Sequence, residues 1–570
     1  MTGDRIDRSR PPVYNQRRNQ GCQRNLAVSS QETKVYLKGN AMIEPLFNQW
    51  YAWSYLISPA TSAMYISNLH LKLMESFIAA PQVHVAALKN PANLGGPFIN
   101  YSTSRVAEIK ALREKTLKEN QPMLAFAEAV KTLDKILVEE ADGLSLEPLY
   151  RKVPEPLKGY VELVYDLNSQ PSIRFIEGLL YRSPYYNPRA QSLTLTLAER
   201  DERSFVFSTP RLETKDALHL ELPFNHPGLD ELFKMKETPQ TLGHVMEALE
   251  IKPADAELFS TMFTEEAPRR TERFNGEGVR VRYFGHACVL IESKNVSILC
   301  DPVISYPCST GLERYSLCDL PEHIDYVLVT HNHQDHCMFE TLLQLRHKIG
   351  TIIVPKNNGG ALVDPSLKLV LQQIGFRRVS EIDEMESIEV DGGAITGLPF
   401  LGEHADLNIR SKIAYLINLE GKSIVCAADS NNIEPQLYGH LQDAVGEIDV
   451  FLVGMECDGA PLSWLYGPLL TRPLPRKVDQ SRRFDGSNFE KAFDIVKRLR
   501  PQQVYVYAMG QEPWLTYLTS IQYTDASRPI VESNRLVQEC TNLGLTTERL
   551  YGHKEILLSA GSQKSQAAEI

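Results

Sequence analysis

"VTHNHQDHCMFE" occupies Val329–Glu340, and its reading decides the fold. Three histidines and an aspartate (His331, His333, Asp335 and His336) fall within six positions. The preceding run, "DYVLVT" (325–330), is apolar and β-branched, which predicts a buried strand. The polar cluster therefore stands at the strand's C-terminal end, where loops of α/β folds carry function. His331 and His333 are two apart, so in an extended segment they point the same way and can grip one metal ion. Asp335 and His336 follow as the chain turns into a helix near Met338, and can grip a second. Neutral imidazoles and carboxylates suit zinc, iron or manganese. The motif alone thus announces two metals, without saying whether they activate water or dioxygen.

Outward from the motif, short apolar runs alternate with polar or helical stretches: "VRVRYFG", "VLIES", "VSILCD", "TIIVP", "AYLINLEG", "SIVCAAD", "VFLVG" and "VYVYAMG". Helical patterns intervene at 338–349 and 489–499. This predicts a layered α/β sandwich over 278–562. The polar, glycine-ended stretch "FTEEAPRRTERFNGEG" (263–278) reads as the linker before it. Residues 41–262 read as a mixed α/β N-terminal domain. Val106, Ile109 and Leu112 mark one helix, and Leu124, Phe126, Val130, Leu133 and Leu137 a second. "LTLTL" (193–197) and "SFVFS" (204–208) read as a β-hairpin. Residues 1–40, rich in Arg, Gln, Asn and Ser, read as a flexible arm.

Bulk composition narrows the function. The chain has 570 residues, too many for one core. Hydrophobic residues make up 43% and charged residues 23%, as in ordinary globular proteins. The net charge of -11 disfavours nucleic acid as a partner. No apolar run approaches a membrane span or a signal peptide, so the expected location is cytoplasmic. The nine cysteines include no C-x-x-C pair, which points to reduced, mostly buried thiols. Cys337, next to the motif, is a weaker ligand candidate than its neighbours.

"THNHQDH" resembles the H-x-H-x-D-H signature of the metallo-β-lactamase superfamily. "GHACVLIES", "ILCDPVIS" and "CAADS" stand where that superfamily has its early strands and later aspartate. The resemblance implies an αββα sandwich with a two-metal site at one edge. It implies that Asp429 bridges the metals and that Asp301 orients a ligand imidazole from behind.

Hydrolases of that superfamily usually add two more histidines, and here the sequence departs. The first slot, "LPFLGEHADL" (398–407), offers Glu403 and His404 side by side. Neighbours in an extended segment face opposite ways, so one of the two is expected to be a ligand. The late slot, near "VYVYAMGQEPW" (504–514), has no histidine; His553 is the only one beyond it. A carboxylate-rich set with open positions favours iron and dioxygen over zinc and water. The alternative is a dinuclear zinc or manganese hydrolase of the lactonase type.

With these departures, "THNHQDH…FETLLQLR", "GEHADL" and "CAADSN", together with the long N-terminal domain, resemble the di-iron β-hydroxylases of nonribosomal peptide biosynthesis, antibiotic pathways among them. The resemblance implies a monooxygenase that uses dioxygen and two electrons to hydroxylate the β-carbon of an amino acid. That amino acid is held as a thioester on a carrier-protein domain. It implies two Fe ions: His331, His333 and Glu403 on one, Asp335 and His336 on the other, and Asp429 between them. His404 then lies behind the ligands or in the pocket. The implied partners are the carrier domain, an electron-donor protein and a second copy of the chain in a homodimer. Neither nucleic acid nor membrane is expected.

The connection 454–488 is long, as functional loops often are. Trp464, Tyr466, Trp514 and Tyr517 are candidates to wall an aromatic amino-acid pocket. Glu456 and Asp458 are candidates to assist the site or hold a substrate amine. Arg472, Arg476, Lys477, Arg482 and Arg483 are a candidate docking patch for an acidic carrier.

Overall fold

The computed structural model describes residues 33–308 and 311–559. Residues 279–558 form two seven-stranded sheets packed face to face. In the first the order is Val379–Ile382, Ile349–Pro355, Ile324–Leu328, Ser297–Cys300, Val289–Glu292, Val279–Tyr283 and Lys554–Leu558. In the second it is Ser387–Val390, Gly393–Leu398, Ala414–Leu419, Lys422–Cys426, Val450–Gly454, Gln503–Tyr507 and Thr546–Arg549. Each sheet begins its half of the chain with antiparallel pairs and continues with parallel ones.

Alternation along the strands builds the layers. Ile298, Leu328 and Ile353 face the second sheet, where they meet Ile395, Tyr415, Ile417 and Ile424. Leu299, Val327 and Ile352, one residue away in each strand, face outward onto the helices Phe339–Leu345 and Leu367–Gln373. This is the period of two expected when both faces are buried. Helices Pro435–Val445, Phe489–Leu499 and Arg528–Asn542 cover the outer face of the second sheet. The architecture is the layered α/β sandwich the strand runs predict, in the αββα form the resemblance implies.

The outward apolar layer of the first sheet continues without a break into the N-terminal part. Trp53, Tyr55, Met64, Phe126 and Leu133 belong to the same buried cluster as Val327 and Leu342. The helices read from periodicity form, over Val106–Glu119 and Gln121–Glu140. The hairpin expected from "SFVFS" does not. Gln191–Leu197 pairs instead with Ala41–Phe47 and Leu218–Leu220, and 204–208 is an irregular segment ending in a turn at 206–208. Its apolar side chains have another use: Phe207 packs on Trp53 and Trp464, and Phe205 on Trp464.

Most of the expected arm, residues 1–32, lies outside the described residues. Within its remainder, Lys34–Leu37 is a strand between Gln240–Thr241 and Phe263–Thr264, because Leu37 has a buried site to fill. Cys288, Cys300, Cys337, Cys426, Cys457 and Cys540 are free and buried. No helix among the described residues is long and apolar enough to cross a membrane.

Candidate metal centre

Parallel strands present their C-terminal ends along one edge of the sandwich, and the polar residues collect there. Ser297–Cys300 leads to Asp301, Ile324–Leu328 to His331, and Lys422–Cys426 to Asp429. Val450–Gly454 leads to Glu456 and Gln503–Tyr507 to Gly510. The motif is pinned by Tyr415, whose hydroxyl donates to Val329 O (3.0 Å), and by Ile413 N–H, which donates to Thr330 O (2.7 Å).

Among the described residues, three sets of ligand-type atoms lie within 4.8 Å of one another: His331/His333/Glu403, His331/His336/Asp429 and His286/Asp335/His336. Sequence reasoning named all of these residues except His286. In the first set, His331 Nε2 is 3.1 Å from His333 Nδ1, and Glu403 Oε1 is 3.2 Å from the same Nδ1. Asp429 Oδ2 is 3.0 Å from His336 Nε2 and 3.7 Å from His331 Nε2. It therefore stands between the first histidine and the last, the position a bridging carboxylate needs.

The surroundings fix the ligand atoms. Asp301 accepts from Thr330 N–H (2.7 Å) and Thr330 Oγ1–H (2.6 Å), and its Oδ2 is 2.8 Å from His336 Nδ1. That contact places the Nδ1 proton toward Asp301 and leaves the Nε2 lone pair facing Asp429. Tyr466 lies 3.1 Å from His333 Nε2 and 2.7 Å from His404 Nδ1 through its hydroxyl. Tyr466, 1% exposed, thus supports ligands from behind and does not wall a pocket.

The expectation that Glu403 and His404 face apart is corrected by the backbone. Gly402, Glu403, Ala405 and Asp406 all have positive φ, so the segment is a left-handed loop and not a strand. Both side chains lie against His333, with the His404 ring centroid 4.5 Å from that of His333. Glu403 alone belongs to a ligand set.

His286 comes from "GHACVLIES", in the turn between the first two strands of the sandwich. Its Nδ1 accepts from Gly510 N–H (3.2 Å), and its Nε2 is 3.3 Å from Asp335 Oδ2. With Nδ1 accepting, a neutral ring carries its proton on Nε2, the nitrogen that faces Asp335. The late slot that lacks a histidine therefore supplies a backbone N–H that aims an earlier one. The glycine before His286 was the available sequence signal: Gly285 has φ +105° in a strand-to-strand turn. His553 lies elsewhere, 3.2 Å from Glu313 O through Nδ1, and Cys337 is in none of the three sets.

The residues fit a pair of metal ions. His336 Nε2, His286 Nε2 and Asp429 Oδ1 are buried without hydrogen-bond partners. Burial drives the His331 pKa far down, assisted by the other histidines, and that of His333 to about 4, so both are neutral donors. Burial, then repulsion from Asp429 and Asp335, pushes the Glu403 carboxyl well above its usual range. Burial also raises Asp335, but the approach of His286 and the neighbouring histidines outweigh it and hold that carboxyl low. Buried carboxylates that repel one another around neutral imidazoles are the electrostatic condition a cation relieves.

A cavity of about 400 Å³ opens onto this edge. Its walls include His333, Asp335, Glu403 and Asp429, with Gln334, Glu456, Asp458, Trp464, Phe484 and Met509. The N-terminal part contributes Leu94, Gly95 and Gly96 to the same cavity. Of the four aromatic residues expected at the pocket, Trp464 lines it. Trp514 and Tyr517 do not: they pack together with Met338 and Leu515, and Arg314 lies 4.3 Å from the Trp514 ring. Gly285 leaves the space that the Trp514 ring fills. In the basic stretch, Arg472 pairs with Asp134 (3.3 Å), and Arg482 donates to Ala405 O (2.8 Å).

The chain is similar to known proteins along most of its length. Residues 36–268 match a family described as "Diiron non-heme beta-hydroxylase N-terminal domain", and residues 280–507 a "Beta-lactamase superfamily domain". The 4-amino-L-phenylalanyl-[CmlP-peptidyl-carrier-protein] 3-hydroxylase of Streptomyces venezuelae is 38% identical over 530 residues, 92% of this chain and 99% of its own length. The crystal structure of CmlA, a diiron β-hydroxylase from the same organism, superposes with a TM-score of 0.87 at 37% identity. It covers 92% of this chain and 100% of that one. A UPF0173 protein of Pyrococcus abyssi is 32% identical over 127 residues, 22% of this chain and 50% of its own.

Proposed function

The chain belongs to the family of diiron non-haem β-hydroxylases, and from that premise we propose that it hydroxylates the β-carbon of an amino acid held as a thioester on a carrier-protein domain. It is an oxidoreductase whose cofactor is a pair of iron ions. We assign one iron to His331, His333 and Glu403, the other to Asp335 and His336, and the bridge to Asp429. The observation that carries the assignment is Glu403 beside His331 and His333, with no histidine at the late slot. Hard oxygen donors and incomplete coordination suit iron and dioxygen. The hydrolase alternative gains no support, since the relative that spans the chain is a hydroxylase.

When bound, the irons supply dioxygen activation; one oxygen atom enters the C–H bond and the other leaves as water, with two electrons from an external donor. The protein's own part is placement. His331 and His333 stay neutral through burial, Tyr466 lies against His333, and Asp301 orients the His336 ring through Nδ1. The cavity places the aminoacyl group beside the ligands. Tethering raises the effective concentration of the substrate at its mouth. The carrier domain, an electron-donor protein and a second copy of the chain complete the proposed set of partners, and the proposed place of action is the cytoplasm.

The test is direct. Protein from iron-supplemented medium should contain about two irons per chain. It should add a single oxygen atom from O2 to an aminoacyl carrier protein, read by mass spectrometry with labelled O2. Stoichiometric zinc with hydrolysis and no oxygen incorporation would overturn the proposal.

A further inference from the structure

Five carboxylates line the cavity (Asp335, Glu403, Asp429, Glu456 and Asp458), and no lysine or arginine does. Three of them belong to the ligand sets and balance most of the charge of two ferrous ions. Glu456 and Asp458 belong to none of those sets. Glu456 is anchored by neutral donors: Tyr523 Oη–H gives a hydrogen bond to Oε1 (3.1 Å), and Asp458 N–H to Oε2 (3.0 Å). Arg528, the nearby cation, is turned to Cys457 O at 3.3 Å. The wall formed by 456–458 therefore presents two carboxyl groups and no lysine or arginine, and burial pushes the Glu456 carboxyl up to about 7, a strain that a cationic ligand relieves.

A second acceptor belongs to a residue of the same lining. Gln334 is 4% exposed and lines the cavity. Its Nε2 donates to Leu518 O (3.4 Å), while its Oε1 is buried and has no partner. Two spare carboxylates and an unpartnered amide oxygen together call for a ligand that is cationic and rich in N–H donors. An aminoacyl thioester has lost its carboxylate to the tether, so its α-ammonium group is its one obligatory charge. Trp464, Leu465, Phe484 and Met509 line the rest of the cavity with apolar surface that suits a side chain.

We propose that Glu456, Asp458 and Gln334 form the subsite for the α-ammonium group of the carrier-bound aminoacyl substrate, which makes a free amine a condition of recognition. This rests on the substrate class proposed above. The ammonium nitrogen is bonded to the carbon next to the β-carbon. Holding it on the 456–458 wall, which lines the same cavity as Asp429, sets the β C–H bond toward the ligands. The three residues are positioning groups and take no part in oxygen chemistry.

The test uses hydrolysis-resistant aminoacyl-pantetheine amides of the common amino acids and of 4-aminophenylalanine, with the desamino counterpart of each. Binding to the iron-loaded full chain is measured by calorimetry. Wild type should bind an amine-bearing compound at least about ten-fold more tightly than its desamino counterpart. In the Glu456→Gln/Asp458→Asn double variant that gap should close, through weaker binding of the amine form alone, with iron content unchanged. Gln334→Leu should narrow the gap without closing it. Equal binding of both forms by wild type, or equal loss of both in the double variant, would overturn the subsite and leave the substrate class standing. Failure of every aminoacyl compound to bind would overturn the substrate class and the subsite with it.

Discussion

Glu403 and His404 are adjacent in the chain and both touch His333, yet they do different work. Glu403 brings an oxygen to 3.2 Å from His333 Nδ1, whereas His404 turns its own Nδ1 to the Tyr466 hydroxyl. Glu403→Ala should therefore empty the first metal site, seen as a fall from about two irons per chain toward one. His404→Ala should keep both irons and change only their spectroscopic signature. The reverse outcome would exchange the two roles. His286 makes a similar distinction testable. If its Nε2–H serves Asp335, His286→Gln keeps a donor and should retain the second iron. His286→Ala should weaken that iron's affinity by roughly 10- to 100-fold, the usual cost of losing a hydrogen bond behind a ligand. Loss of the second iron in both variants alike would make His286 a ligand.

At the scale of elements, the site is a consequence of parallel strands ending together. The strands leading to Asp301, His331 and Asp429 were legible as apolar runs, because burial on both faces leaves a continuous signature. The turns between elements were less legible. "LGEHADL" reads as extended by its apolar start and end, but Gly402 (φ +81°) starts a left-handed loop that brings neighbouring side chains to the same side. The turn holding His286 is equally dependent on a glycine. A Cβ on Gly285 would meet Trp514 Cζ2 at 2.6 Å, and φ is +105°. Gly285→Ala should cost about 1–3 kcal/mol in chemical denaturation. It should also lower occupancy of the second iron, since the same turn carries His286. An unchanged denaturation midpoint would show that the turn relaxes freely.

At the scale of the molecule, the N-terminal part is a brace for the metal loop and a wall of its cavity. Tyr51 Oη–H (2.8 Å) and Arg203 (2.9 Å) donate to Glu340, just after the motif, and Ser54 bonds Asn332 inside it. Arg203 and Arg211 share Glu44 on the N-terminal side. Glu177 spans the same junction, accepting from Asn357 Nδ2 and Ser366 N–H at 2.9 Å each. Burial pushes its carboxyl up to about 7. A carboxyl near 4.5 when unfolded and near 7 when folded holds its proton more tightly in the folded state. Its contribution is therefore fully present below about pH 4.5, falls as pH rises toward 7, and stays low above it. Glu177→Gln should remove roughly 3 kcal/mol of that decline, measured as the difference between the two proteins' stability–pH profiles. Parallel profiles for the two proteins would show that the carboxyl titrates normally.

The sequence by itself determined the sandwich, the six ligand candidates and the departure from hydrolase chemistry. Strand periodicity and ligand spacing are local properties, and His331 to His336 lie within one turn of chain. Tertiary structure decided what distance in sequence conceals. His286 meets Asp335 across 49 positions, guided by Gly510, and Tyr466 reaches His333 across 133. It also decided which aromatic residues face the cavity: Trp464 does, while Trp514 fills the space behind Gly285. A side chain's type states what it can do. Which atoms stand within 3 Å of it depends on how the two sheets and the N-terminal brace close around one edge.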